Sequence, residues 1–247
     1  MTLTRLGCAG WSISREAAPA FDGAGSHLER YAAVLNAVEI NSSFYRPHKP
    51  QTYARWAASV PDDFRFSVKL PRSITHERRL QDASALIGQF AAEAGALGNK
   101  LGCVLVQLPP SLRLDTVAAE RVFPQLHEHF GCMLACEARH ASWFSDEATA
   151  LLHAHHITRV IADPPAGQPG PYIATTDQSY VRLHGSPRIY YSTYDEAYLQ
   201  SVAAWLAHRD GWCIFDNTAA GAAILNALLL QQLQAAAPAP DRQNWQA

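Results

Sequence analysis

The chain has 247 residues, with 20 Lys and Arg against 22 Asp and Glu, so its formal net charge is only -2. Hydrophobic residues make up 48% of the sequence, which is typical of a folded protein and excludes a disordered one. The near-neutral charge argues against a protein that mainly coats nucleic acid, because such proteins carry a basic excess. No apolar run is long enough to span a bilayer and no signal peptide opens the chain, so we expect a cytoplasmic protein without a membrane partner.

Strand-like runs alternate with helical stretches from one end of the chain to the other. The predicted strands are Arg5–Ala9, Ala37–Ser42, Arg65–Leu70, Cys103–Leu108, Leu134–Arg139, Thr158–Ala162, Tyr180–His184 and Trp212–Phe215. The predicted helices are His27–Leu35, Pro50–Ser59, Ser84–Gly98, Thr116–Phe130, Asp146–His155, Glu196–His208 and Ala219–Gln234. Eight such units in about 250 residues predict an α/β protein, a single (β/α)8 TIM barrel. An open doubly wound sheet is the alternative, weakened because no Gly-rich phosphate loop follows the first strand.

Two segments fall outside this alternation. Pro164–Gln178 is rich in Pro and Gly, so we expect a long loop without a full helix between the sixth and seventh strands. The tail 235–247 contains Pro238 and Pro240 and is expected to be a flexible end of the same single domain.

The cysteines indicate neither disulfides nor a metal centre. There are five, an odd number, and only Cys132 and Cys136 are close in sequence. This pair has no matching second pair, so we predict no structural zinc and assign no metal ligands. The sequence leaves any cofactor unknown.

Polar side chains occur where a barrel interior should be apolar. Side chains of a strand alternate between its two faces, and parallel strands buried on both faces normally form apolar runs. Here the alternation directs the following residues inward, near the carboxyl ends of seven strands: Glu39, Asn41, Ser67, Lys69, Gln107, Glu137, Arg139, Asp163, Arg182, His184 and Asp216. Because barrel active sites lie at that end, the pattern predicts a functional site there. The simpler alternative is a charged network that only fills the barrel.

The residue types suggest roles at this mouth. Glu39 and Glu137 are predicted catalytic acids or bases, with Lys69 or His184 as partner. Lys69 could also form a Schiff base if it is desolvated and neutral. Arg139 and Arg182 are expected to hold an anion through their forked donors. The remaining predicted substrate-binding residues are Asn41, Tyr45, His76, Gln107, Trp143, Asp163, Tyr190, Asp216 and Asn217.

Several ordered blocks resemble those of the DUF72 family, also called YecE-like. The blocks are Gly7-Cys-Ala-Gly-Trp11, Glu39-Ile-Asn-Ser-Ser-Phe-Tyr45, Phe64-Arg-Phe-Ser-Val-Lys-Leu-Pro71, Gln107-Leu-Pro-Pro110, Glu137-Ala-Arg-His140, Arg182-Leu-His-Gly185 and Phe215-Asp-Asn217. The resemblance covers about residues 5–230 and implies a TIM barrel. It departs at Asp216, where the family block has Asn, so this position either adds a charge or substitutes an acceptor.

Three functions stay open at this point. The first is an enzyme or binder for a small polar anionic ligand, phosphorylated or sugar-like. The second is a metal-dependent phosphodiesterase or nuclease, because the family has been likened to sugar isomerases and endonuclease IV. It would need at least three carboxylates or imidazoles of the inward set around one ion, with nucleic acid as a less favoured partner. The third is a non-catalytic binding module using the same mouth.

Overall fold

The structure is a computed structural model that describes residues 4–236. In that range the strands are β1 (Thr4–Cys8), β2 (Ala37–Ile40), β3 (Arg65–Lys69), β4 (Leu101–Gln107), β5 (Met133–Glu137), β6 (Ile157–Asp163), β7 (Ser179–Leu183) and β8 (Gly211–Phe215). The α-helices are α1 (His27–Ala32), α2 (Pro50–Ala58), α3 (Ser84–Ala94), α4 (Thr116–His129), α5 (Asp146–Ala154), α6 (Glu196–Leu206) and α7 (Ala222–Ala236). Neighbouring strands pair in parallel. The predicted TIM barrel is confirmed.

Side chains join the two ends of the sheet. The ladder runs in the order β1-β8-β7-β6-β5-β4-β3-β2, so β1 and β2 are its end strands. The Tyr31 hydroxyl accepts from the Cys8 N–H at 2.8 Å and donates to the Ala37 carbonyl at 3.0 Å. Two residues earlier on β1, the Leu6 N–H donates to the amide oxygen of Asn36 at 2.8 Å. Buried backbone groups left unpaired cost roughly 1–3 kcal/mol each, so these two side chains help to close the barrel.

The predicted alternation holds for most strands and fails for one. Side chains that face the helices belong to the main hydrophobic core, among them Val38, Ile40, Phe66, Val68, Val104, Val106, Val181, Leu183 and Phe215. A smaller apolar cluster fills the barrel interior with Ala37, Cys103, Leu105, Ala135, Val160, Tyr180, Trp212 and Ile214. In β6 the prediction is wrong, because Val160 lies in the interior cluster and Ile161 in the main core. Asp163 has the phase of Ile161 and so does not point inward.

Most connecting segments have the structure that the sequence predicts. Ser145 and Asp195 cap α5 and α6, accepting from the backbone N–H groups of Ala148 and Tyr198 at 3.2 and 2.8 Å. Residues 164–178 form the predicted loop without a helix. The helix α7 continues to Ala236, so the first two residues of the predicted tail are helical and the rest lie outside the described residues. All five cysteines are unpaired. No helix between residues 4 and 236 is long and apolar enough to cross a membrane.

Candidate functional site

Arg182, in β7, is the centre of the charged cluster and is completely buried. Its Nε and Nη2 atoms donate to the two carboxylate oxygens of Glu39 at 3.0 and 2.7 Å, a bidentate pairing. Its Nη1 donates to Glu137 at 2.5 Å and Gln107 at 3.4 Å, and Nη2 also donates to Asp216 at 3.1 Å. These contacts use all five N–H groups of a guanidinium. The expectation that Arg182 binds an anion is therefore wrong, because no donor is left.

His184 lies between two of the same carboxylates. Its Nδ1 is 3.0 Å from Asp216 and its Nε2 is 3.2 Å from Glu137. Burial lowers the pKa of His184, but the charge of Glu137 and the two hydrogen bonds outweigh it and raise that pKa. Burial alone would raise the pKa of Glu137. The charges of Arg182 and then His184 outweigh burial and hold this pKa well below its usual value. Both ring nitrogens of His184 are occupied, which leaves none for the predicted catalytic proton transfer.

Arg139 lies at the solvent side of this cluster, with its side chain 18% exposed. Its Nε and Nη2 both bind one oxygen of Glu137, at 2.8 and 2.7 Å, so it keeps N–H groups that Glu137 does not use. The Tyr190 hydroxyl interacts with Arg139, and the Tyr190 ring lies 6.0 Å from that of His184. Tyr190 has a φ of 71°, which is uncommon for a bulky residue and is fixed by a 2.6 Å bond from its N–H to the His184 carbonyl.

We call this set the Arg182 network: Arg182, Glu39, Gln107, Glu137, Asp216, His184 and Arg139. Its carboxylates are poor candidates for the general-base role that the sequence suggested. Both oxygens of Glu39 accept from Arg182, and one of them also accepts from the Tyr180 hydroxyl at 2.9 Å. Both oxygens of Glu137 are likewise engaged, one by Arg182 and the other by Arg139 and His184. A base whose oxygens already accept from cations has little affinity for another proton.

Lys69 lies beside the network and differs from it. It ends β3 inside the barrel and is 4% exposed. Within residues 4–236, its Nζ has no carboxylate oxygen within 4.0 Å and no hydrogen-bond partner. The contact that the structure gives it is the Phe44 ring, whose centroid is 4.0 Å from Nζ. Burial, and then the charge of Arg182, lower the pKa of Lys69 to about 8, against the opposing pull of nearby carboxylates.

Two further predicted residues surround Lys69. His76 packs its ring on Phe44 with centroids 4.8 Å apart, and its Nδ1 lies 2.8 Å from the Thr75 hydroxyl oxygen. Burial and then the charge of Lys69 lower the pKa of His76 to about 4, so its ring is neutral at pH 7. Asn41 directly follows β2, where Ile40 is paired with Val68, so its backbone lies next to Lys69. We call Lys69, Phe44, His76 and Asn41 the Lys69 face.

Tyr190 contacts Arg139 from outside the two groups, and four other predicted substrate-binding residues join neither of them. Asp163 accepts from the Tyr194 hydroxyl at 2.8 Å, which ties it to the loop after β7. Trp143 is buried in the main core, where its indole N–H donates to the Leu112 carbonyl at 3.0 Å. Tyr45 is 70% exposed and lines a surface cleft with Pro47, Leu86 and Phe90 among others. Asn217 donates to the Ser192 carbonyl at 2.9 Å and to Asn226 at 3.0 Å, which fastens the loop after β7.

The sequence also indicated two site residues that the prediction left out. Tyr180 has the same phase as Arg182 on β7, and its hydroxyl binds both Glu39 and the Ser67 hydroxyl. The strand alternation alone could have found it. Phe44 follows β2 in the sequence, and its contact with Lys69 depends on Ser43, whose hydroxyl donates to the Lys69 carbonyl at 2.7 Å.

The donor set does not fit a metal ion. Within the described range there is no group of three or more His, Cys, Asp or Glu side chains with suitable geometry. The three inward carboxylates, Glu39, Glu137 and Asp216, instead surround the Arg182 guanidinium. That cation occupies the position among the carboxylates where a bound metal ion would have to lie.

A nearly closed barrel of eight parallel strands, with flanking helices and charged side chains at the strands' carboxyl ends, defines a TIM-barrel protein. The family model described as "Protein of unknown function DUF72" matches residues 5–246, so the chain belongs to the DUF72 family.

Relatives and solved structures agree with this assignment. The chain is 31% identical over 146 residues to the UPF0759 protein YecE of Escherichia coli strain K12, covering 55% of this chain and 52% of that protein. It thus spans about half the length of that relative. Identity to the UPF0759 protein YunF of Bacillus subtilis strain 168 is 26% over 197 residues, 73% of this chain and 69% of that protein. A DUF72 family crystal structure from Thermotoga maritima matches with a TM-score of 0.77 at 26% identity, covering 94% and 98% of the two chains. One from Enterococcus faecalis matches with a TM-score of 0.79 at 21% identity, covering 98% and 100%, and shows the fold alone.

Proposed function

We propose that the C-terminal mouth of this barrel binds a small anionic ligand, phosphorylated or sugar-like, through Lys69 and Arg139. The observation that carries this proposal is the unpaired ammonium of Lys69. A buried cation normally has an anionic partner, since an isolated buried charge is costly. Lys69 has the Phe44 ring instead, and it is the last residue of β3, at the strand's carboxyl end.

The local charge balance supports an anion. With Asp163 outside the site, the inward carboxylates are Glu39, Glu137 and Asp216. They lie among Lys69, Arg139, Arg182 and His184, whose raised pKa favours its charged form. Four cations then face three carboxylates, which leaves one positive charge in excess. The two cations with donors not used by carboxylates, Lys69 and Arg139, are the ones that a ligand would reach.

Calorimetric titration with inorganic phosphate in low-salt buffer at pH 6.5 tests the proposal, using the parent protein and the variants Lys69→Gln and Arg139→Gln. We expect binding by the parent and at least a tenfold weaker Kd in each variant, since a charged hydrogen bond contributes about 1.5–3 kcal/mol. Lys49→Gln is the matched control, because Lys49 is an exposed lysine that precedes α2. Equal affinity in all four proteins would reject the proposal.

The two alternatives are separated by parallel measurements. A titration with manganese tests the metal-dependent phosphodiesterase. Manganese binding that is lost in Glu137→Gln, together with no phosphate binding, would favour that alternative. Turnover of phosphate esters and sugar phosphates separates an enzyme from a non-catalytic module, because a module would bind phosphate without converting any substrate.

A further inference from the structure

The Lys69 face is the part of the mouth whose polar groups the protein leaves unsatisfied. Carboxylates, guanidinium groups and imidazole of the Arg182 network all bind one another. By contrast, the Oδ1 atom of Asn41 is buried and has no hydrogen-bond partner among the described residues. The Nζ atom of Lys69 is likewise without one. Buried polar atoms in native proteins are normally paired, so the unpaired oxygen of Asn41, whose backbone lies next to Lys69, points to a ligand that completes it.

The surroundings of Lys69 are those of an amine that can act as a nucleophile. A lysine attacks only in its unprotonated form, which is favoured by an apolar pocket or a neighbouring cation. Lys69 meets both conditions, since it is 4% exposed inside the barrel and the positive charge of Arg182 acts on it. An amine with a pKa of about 8 is unprotonated in roughly a tenth of molecules at pH 7, far more often than an ordinary lysine.

We propose that Lys69 forms an imine with a small carbonyl compound that carries an anionic group. This inference rests on the proposed function, because Arg139 would hold the anionic group while Lys69 reacts. The Lys69 Nζ lone pair attacks the carbonyl carbon and forms a C–N bond. The nitrogen then loses one proton and the oxygen gains one, which gives a carbinolamine. Loss of water breaks the C–O bond and leaves the imine, so the step requires no oxidant or reductant.

The other members of the Lys69 face suit this step. His76 is a neutral imidazole whose Nδ1 is bound to Thr75, and its Nε2 has no partner within the part of the chain that is described. That nitrogen can take the proton that Lys69 releases and return it to the departing water. The unpaired Asn41 oxygen can accept a hydrogen bond from the carbinolamine hydroxyl, a donor that the free protein does not supply.

Reductive trapping tests the proposal on the parent protein. The protein is incubated with pyruvate and sodium borohydride, and the adduct is located by peptide mass mapping. We expect one reduced adduct on Lys69, at least tenfold more abundant than on the exposed Lys49, because lowering an amine's pKa from 10.5 to about 8 increases its unprotonated fraction by roughly two orders of magnitude. Labelling should rise with pH through the pKa of Lys69, near 8. Adduct spread equally over Lys69 and Lys49, or absent from Lys69, overturns the proposal.

Two further arms keep this result separate from the proposed function. Acetone, an uncharged carbonyl compound, is trapped in parallel. Adduct on Lys69 with both compounds at equal yield supports the imine but contradicts the anion site. Phosphate binding in the parent without any Lys69 adduct supports the anion site and overturns the imine. His76→Gln should slow trapping severalfold, and an unchanged trapping rate contradicts the assigned role of His76.

Discussion

Replacing Arg182 by Met removes the cation that three buried carboxylates share. The guanidinium is completely buried and binds Glu39, Glu137 and Asp216. Breaking a buried ion pair from one side costs about 3–5 kcal/mol, because the remaining charge has no compensation. We therefore expect Arg182→Met to lower the free energy of unfolding by about that amount at pH 7. For a chain of this size, the matching decrease in Tm is roughly 2–4 °C per kcal/mol.

The pH dependence of this loss follows from the carboxylates. In the parent, the pKa values of Glu137 and Asp216 are lowered chiefly by Arg182 against burial. Their contribution to stability is therefore present above the unfolded pKa and is lost as pH falls through the folded pKa. Without Arg182 the effect of burial dominates, and protonation then favours the folded state. The stability difference between parent and variant should shrink between pH 7 and pH 4.

Urea unfolding followed by tryptophan fluorescence at both pH values measures this difference. Arg72→Met is the control, because Arg72 forms a 3.0 Å ion pair with Glu77 in which both side chains are more than half exposed. Such a pair contributes at most about 1 kcal/mol. A loss below about 1 kcal/mol for Arg182→Met at pH 7, or an equal loss at both pH values, would refute the reasoning.

Two other substitutions test single links in the structure. Tyr31→Phe should reduce the free energy of unfolding by about 1–3 kcal/mol in urea titrations, because Cys8 N–H and the Ala37 carbonyl lose their partner. Tyr53→Phe is its control, since the buried Tyr53 hydroxyl has no hydrogen-bond partner among residues 4–236; equal losses would contradict the bridging role. Asp216→Asn should lower the His184 pKa, because Nδ1 loses a charged acceptor. An NMR titration of the His184 ring with an unchanged midpoint would contradict this.

The fold was predictable because its signals are local. Alternating β and α patterns and inward polar residues depend on the sequence near each strand, and they indicated both the barrel and the carboxyl-end mouth. The error in β6 has a physical reason. Thr158-Arg159-Val160-Ile161-Ala162 carries apolar residues in both phases and one polar residue in each, Thr158 and Arg159, so the alternation does not show which face is inward. Arg159 is buried on the helix side instead, where it donates to the Trp143 carbonyl and the Thr149 hydroxyl.

The pairing within the site was not predictable, because it depends on contacts between distant strands. Glu39 and Arg182 are 143 positions apart, and only the closed barrel shows that they bind bidentately. The same contacts across the barrel determine which cations keep N–H groups that no carboxylate binds. From the sequence, Asp163 was expected to be one of the inward carboxylates, and Arg182 was expected to be available to a ligand. In the structure Asp163 does not point inward and the donors of Arg182 are all used, so Arg139, expected from the sequence, is left with Lys69 as a proposed ligand contact.

Apart from Arg139, the members of the Arg182 network influence the mouth through their charge, because their donors and acceptors bind one another. Buried ion pairs seldom add net stability, so stability alone is a weak reason for this arrangement. Its effect on Lys69 is more specific. After burial, Arg182 is the largest influence that lowers the pKa of Lys69, while the network's carboxylates oppose it. Because those carboxylates are bound to Arg182, Arg139 and His184, none comes within 4.0 Å of the Lys69 Nζ in residues 4–236. The network thus neutralises its own charges and keeps an amine unpaired at the mouth, where the charge or the lone pair of Lys69 can meet a ligand.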